Sequence, residues 1–293
     1  MAVESSWRMP PSGKSSPART CAQSWQPPGI RAVWVPFTIF VLLVVLGGCG
    51  GEPSGPPPGG SQIGLERFEV NRQPAVLITP AASTRKVVVY VHGAGETVEN
   101  IFRDQAKEQI FKTLLQAGYA LAASDAHGDS WGNTASERDY LALISALRKR
   151  GLRDVYVLAL SMGGFNGLQL LGHVPIKAWA GIFPACDLDS VYDLGLYARD
   201  IRTAHGLDDA EPAEVATRGR SPVAVNPPPG LPMRFWASPG DRVIPKRRNT
   251  DACAALARRR GARVEVTTTQ GDHGDPSNFD AAGILRLFDS AQP

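Results

Sequence analysis

Cysteine is scarce in this 293-residue chain, and its 4 copies cannot form the disulfide framework of a small secreted scaffold. A surplus of charge is missing too. Lys and Arg number 31 against 28 Asp and Glu. Four of the cations, Arg8, Lys14, Arg19 and Arg31, stand with Glu4 in residues 1–48, which leaves 27 charges of each sign in the remainder. A neutral remainder lacks the electrostatic footprint of a nucleic-acid binder. The clusters Arg148-Lys149-Arg150 and Arg258-Arg259-Arg260 do not alter this, because each stands directly before a glycine, Gly151 or Gly261. That is the pattern of a helix end, where cations complement the dipole and glycine caps the last turn. Disorder is excluded by the 43% hydrophobic content beside only 20% charge. The length suits one large α/β domain or two small ones.

Long apolar runs are nearly absent as well, and the single exception is Ala32 to Leu46. It is shorter than the roughly 20 residues a spanning helix needs and contains Pro36, so it reads as the apolar region of a secretion signal. All the basic residues of this segment precede the run, and Gly47-Gly48-Cys49 follows it. This arrangement resembles the bacterial lipobox, which implies cleavage before Cys49 and lipidation of that cysteine. Residues 1–48 are then a lipoprotein signal peptide. Residues 49–61, rich in Pro and Gly, are a tether too poor in apolar side chains to join a core. The expected location is the cell envelope, lipid-anchored on the extracytoplasmic side, with the membrane as a partner through Cys49. The alternatives are an uncleaved signal anchor, or a chance cysteine after a secretory signal. The stretch before the run is long, and Met9 is an internal candidate start. In an oxidising compartment Cys186 and Cys253 either bridge or sit singly in the core, and spacing does not choose between them.

From Glu66 onward short β-rich runs alternate with helical patterns, which predicts an α/β fold with a mainly parallel central sheet and helices on both faces. Phe68–Asn71 and Ala75–Thr79 read as an opening hairpin. Lys86–His92 is a continuous β-branched run, the mark of a strand buried on both faces. Then follow helix Ile101–Ala117, strand Tyr119–Ser124, helix Ser136–Arg150, strand Val155–Leu160, helix Met162–Leu171 and strand Ala178–Phe183. Two further pairs close the chain: strand Met233–Ala237 with helix Lys246–Arg260, and strand Arg263–Thr268 with helix Asn278–Ser290. At about 187–232 the alternation breaks, with a helical stretch near Val191–His205 and then Asn226-Pro227-Pro228-Pro229-Gly230. This reads as a lid or binding insertion within a domain spanning 62–293.

Ser161 stands in Ala159-Leu160-Ser161-Met162-Gly163, between a buried strand and a helix. A serine hydroxyl becomes a useful nucleophile only when it is held clear of the backbone beside a base, and a sharp strand-to-helix turn holds it so. Small residues two positions to either side, here Ala159 and Gly163, let strand and helix pass closely. The same turn aims the Met162 N–H at a reacting carbonyl. A helix-capping serine is the bland reading of the same residue.

At this point the chain resembles the α/β-hydrolase family, from about Lys86 to the C-terminus, with Ala159 in place of the first glycine of Gly-x-Ser-x-Gly. The resemblance implies an α/β-hydrolase fold with a lid insertion, and a triad in the order serine, acid, histidine. The matching acid is Asp241, in Pro239-Gly240-Asp241-Arg242-Val243, with Asp187 in reserve. The matching base is His273, in Gly271-Asp272-His273-Gly274-Asp275. His92-Gly93-Ala94-Gly95 matches the family's oxyanion loop, with Ala94 N–H as second donor and His92 as a structural residue. Ser124 to Ser130 matches a pocket-shaping loop. No cofactor is implied. A metal site on Asp272, His273 and Asp275 is the competing reading of that loop, and no histidine-rich partner segment accompanies it. The expected function is a membrane-tethered serine hydrolase of a small carboxylic ester. The alternatives are a serine peptidase of prolyl-oligopeptidase type acting on a short peptide, and a non-catalytic binding lipoprotein on the same fold.

Overall fold

A computed structural model describes residues 63–99, 101–207 and 226–292. The signal, Cys49, the tether and residues 208–225 of the expected insertion lie outside the described residues. The described residues begin with a hairpin, β1 (Gly64–Val70) and β2 (Gln73–Thr79), closed by Asn71 and Arg72, both at positive φ. Two consecutive left-handed residues make the type of turn whose twist matches the strands it joins. Both strands are longer than the sequence pattern indicates, because Gly64–Arg67 and Gln73–Pro74 carry little β propensity and are recruited by the ladder.

Six strands running parallel to one another complete the sheet: β3 (Lys86–Val91), β4 (Ala120–Ser124), β5 (Asp154–Leu160), β6 (Trp179–Ile182), β7 (Pro232–Ala237) and β8 (Arg263–Thr268). Their order is β1-β2-β4-β3-β5-β6-β7-β8, with β2 antiparallel to both neighbours and every later pairing parallel. The continuous apolar run of β3 follows from this central place. Val87, Val89 and Val91 join the core on one face, whereas Val88 and Tyr90 join the core on the other.

Helices cover both faces. On the first lie α2 (Thr134–Lys149), α3 (Gly163–Gln169) and, after the expected insertion, α6 (Ala252–Arg259), contributing Leu143, Phe165 and Ala254. On the second lie α1 (Gln105–Gln116) and α7 (Ala281–Asp289), contributing Leu114 and Phe288. The insertion opens with two short helices, α4 (Leu188–Tyr192) and α5 (Ala198–Ala204). Arg148 and Lys149 close α2 and Arg258 and Arg259 close α6, with Gly151 and Gly261 at positive φ just beyond, as their spacing indicates.

Two predicted helices are interrupted. The stretch from Ile101 is a 3-10 turn (Ile101–Arg103) and then α1, because Asp104 accepts a hydrogen bond from Ala106 N at 2.8 Å and caps a fresh start. The stretch from Lys246 opens as a π-helical turn, Arg247–Asp251, before α6. Cys186 and Cys253 form a disulfide that joins the segment after β6 to α6. Among the described residues no helix is long and apolar enough to cross a membrane.

Candidate active site

The parallel strands all end on one edge of the sheet, and the loops there carry Ser161, Asp241 and His273. Ser161 follows β5 directly and holds φ at 48°, a backbone region that non-glycine residues rarely occupy. Three hydrogen bonds hold it there: its N–H donates to Ile182 O at 3.1 Å, and its carbonyl accepts from Gly164 N at 2.9 Å and Ala185 N at 2.8 Å. Gly163 is required by contact, because a Cβ there would stand 2.1 Å from Val91 O. Ala159, the departure from the family pattern, finds its space across the turn. Facing it on α3 is Gly167, where an added Cβ would stand 2.9 Å from the Ala159 methyl.

Asp241 sits in the loop after β7, its side chain 2% exposed. Its Oδ1 accepts from Val243 N at 2.9 Å and Ile244 N at 2.8 Å, which leaves Oδ2 to face His273 Nδ1 at 2.8 Å. The other imidazole nitrogen, Nε2, is 3.0 Å from Ser161 Oγ. A carboxylate can only accept, so Nδ1 carries the proton and Nε2 is left with a lone pair for the serine hydroxyl. The Phe183 ring packs on the imidazole with centroids 4.2 Å apart and restricts its rotation.

The acid and base loops are also tied together beside the triad. Arg242 donates to Asp272 from its backbone N–H at 3.0 Å and from its Nε at 2.7 Å, and Ser238 Oγ donates to Gly271 O at 2.6 Å. The backbone N–H of Arg242, then that of His273, and the Arg242 guanidinium hold the Asp272 carboxyl down at about 2. Asp275 caps the turn Pro276–Asn278 through Ser277 N at 2.9 Å. The two carboxylates flanking His273 are thus engaged elsewhere in the loop. Among the described residues no group of His, Cys, Asp and Glu is placed to hold a metal.

Gly93 lies against Ser161, its Cβ direction 3.6 Å from Ser161 Cβ. In this loop Gly93 N donates to Glu96 Oε2 at 3.3 Å and Gly95 N to Asp129 Oδ1 at 2.6 Å. Neither the Ala94 N–H between them nor the Met162 N–H has an acceptor among the described residues. Glu96 is itself braced by the Tyr90 hydroxyl at 2.8 Å and by the buried Lys107 ammonium at 2.5 Å. Burial raises the Tyr90 phenol well above its ordinary value, so it remains a donor.

Other residues singled out in the sequence stand apart from the triad. Asp187 caps α4 through Ser190 N at 3.0 Å and reaches Arg248. Both His92 nitrogens face backbone carbonyls, Gly93 O at 2.8 Å and Asp125 O at 3.0 Å, in keeping with a structural role. His127 pairs with Asp139, His173 with Glu137, and His205 contacts Trp131 O. Phe183, Glu96 and Asn249 are parts of the site that the sequence reading passes over. Only the positive φ of Phe183, the burial of Asn249 and the hydrogen bonds of Glu96 to Tyr90 and Lys107 mark them, and none of these is visible in a residue string.

No family model and no curated protein matches the sequence. Solved structures do match. An esterase of Pyrococcus furiosus superposes with a TM-score of 0.57 at 15% identity, over 78% of this chain and 92% of that one. Candida antarctica lipase A in its closed state gives 0.57 at 13% identity, over 78% and 77%. The acylaminoacyl peptidase of Pyrococcus horikoshii gives 0.59 at 15% identity, and here the chain spans 41% of the matched protein. Together with the strand order and the strand-to-helix turn at Ser161, this likeness shows that the chain has the α/β-hydrolase fold.

Proposed function

We propose that the protein is a serine hydrolase that cleaves a small carboxylic ester through Ser161, His273 and Asp241, and that lipidated Cys49 holds it at the extracytoplasmic face of a membrane. The observation that carries this reading is the unbroken hydrogen-bond line from Ser161 Oγ to His273 at 3.0 Å and from His273 to buried Asp241 at 2.8 Å. In the first half of the cycle Oγ attacks the ester carbonyl carbon while its proton passes to Nε2. Asp241 stabilises the imidazolium that results, and the Met162 and Ala94 N–H groups receive the oxyanion. Nε2 then returns the proton to the leaving alkoxide. Water, deprotonated by the same nitrogen, releases the acyl group from Oγ and restores the serine.

An ester is the better substrate class than an amide because an alkoxide leaves more readily than an amine, and the chain spans only 41% of the peptidase it resembles. A fluorophosphonate probe tests the reading. It should label the wild-type protein and neither Ser161→Ala nor His273→Ala. Properly folded wild type that stays unlabelled would point to the non-catalytic alternative. Chromogenic esters of increasing chain length, assayed beside one peptide amide, separate esterase from peptidase.

A further inference from the structure

Ser161 and Asp241 follow β5 and β7, which are not neighbours: β6 lies between them. Their separation therefore depends on what joins the segment after β6 to the loop after β7. Beside the Cys186–Cys253 bridge, that junction holds Asn249, fully buried in the π-helical turn Arg247–Asp251. Its Oδ1 accepts from Cys186 N at 2.9 Å and Asp187 N at 3.0 Å. Its Nδ2 donates to Pro245 O at 3.1 Å and Ser190 Oγ at 2.8 Å. Two acceptor and two donor positions are all that an amide side chain has, so every one is used.

The partners explain what this does. Cys186 directly follows Ala185, whose N–H holds the Ser161 carbonyl and whose backbone packs on Gly164, where an added Cβ would stand 2.3 Å from Ala185 O. Pro245 directly follows Ile244, one of the two residues whose N–H groups orient the Asp241 carboxylate. Ser190 belongs to α4, the first helix of the insertion. A π turn, with its extra residue, lets one side chain reach three segments that a regular helix start would present at another angle.

From this placement we infer that Asn249 is a positioning residue that sets the spacing between the nucleophile and the acid. It acts through Ala185 and Pro245 and touches no reacting atom. The inference rests on the serine-hydrolase reading. Displacing a reacting group by about 1 Å can cost about 100-fold in rate. The test is the rate constant and the endpoint of fluorophosphonate labelling for wild type and Asn249→Ala, with kcat and KM measured on one chromogenic ester. A positioning role predicts full labelling at a rate lowered by roughly 10- to 100-fold, the loss falling on kcat with KM little changed. A merely structural role predicts the opposite pattern: fewer labelled molecules, each reacting at the wild-type rate, and this result would overturn the inference.

Asn249→Asp is the second variant, since it keeps the oxygen for Cys186 and Asp187 while removing both donors. It should show the same slowed rate, and a wild-type rate there also overturns the inference. Failure of both variants to give any labelled protein counts against positioning and for a role in folding alone. Wild-type protein that is itself unlabelled removes the hydrolase reading and this inference with it, whereas a labelled wild type beside an unslowed Asn249→Ala removes only this one.

Discussion

The Ala159 methyl and the bare Cα of Gly167 share one space between β5 and α3, and their identities depend on each other. Gly167→Ala would gain about 1 kcal/mol of helix propensity. It would also force a Cβ to 2.9 Å from the Ala159 methyl and 3.2 Å from the Trp179 indole nitrogen. Overpacking of this kind costs roughly 1–3 kcal/mol, so the clash wins and the melting temperature should fall. In an Ala159→Gly background the same change should cost less, and thermal melts of the four proteins in the cycle measure the coupling. The Asp272 carboxyl carries a pH dependence. Its native-state value is depressed to about 2 from an ordinary 3.8, so its contribution to stability is complete above the ordinary value and disappears as pH falls through the native one. The difference in melting temperature between wild type and Asp272→Asn should therefore stay constant above about pH 5 and close between pH 4 and 2. A gap that persists well below pH 2 would show that the ionised carboxylate, held mainly by the Arg242 and His273 backbone N–H groups, is not its source.

Among the elements, the disulfide and the π turn act on the same junction by different means. The Cys186–Cys253 bridge closes a loop of 67 residues. The loss of chain entropy in the unfolded state then contributes about 4 kcal/mol. Cys186→Ser with Cys253→Ser should lower the urea midpoint accordingly, and wild type treated with dithiothreitol should match it. Because the Asn249 side chain bonds the backbone of Cys186 and Pro245 and not a sulfur, turnover well below the melting temperature should change much less than stability does. An equal loss of kcat in the reduced protein would show that the covalent link, not the amide, sets the geometry. Legibility at this scale follows how local the determinants are. β3 is readable because a run of Val side chains has no solvent face to serve. The interruption at Asp104 is only partly readable, since an aspartate inside an apolar pattern serves equally as a surface residue or as a cap. The π turn is not readable at all, because its shape answers to Cys186, Asp187 and Ser190, some 60 residues earlier.

For the whole molecule the direction of the sheet matters most. β1 is antiparallel to β2, which is antiparallel to β4, so β1 runs with the parallel strands. Its first residue, Gly64, lies on the edge of the sheet opposite the loops that carry Ser161, Asp241 and His273. The proposed anchor at Cys49 joins the domain through β1, and catalysis is expected to be independent of it. Cys49→Ala should move the protein from the membrane fraction to the soluble fraction while leaving kcat on a soluble chromogenic ester unchanged. Unchanged detergent partitioning would count against lipidation at Cys49, and lost turnover would count against that independence.

What the residue string determined by itself is local: the strand-to-helix turn at Ser161, the buried run of β3, and the cationic helix ends before Gly151 and Gly261. Each depends on neighbours within a few positions, where sterics, alternation and hydrogen-bonding capacity act directly. Tertiary structure alone decided the pairing of Cys186 with Cys253, the packing of Phe183 on His273, the accommodation of Ala159 by Gly167, and the junction at Asn249. Most of these join residues that are far apart in sequence, and they meet because the sheet has closed between them. No local pattern encodes that closure, since the same asparagine on an exposed helix turn would read identically.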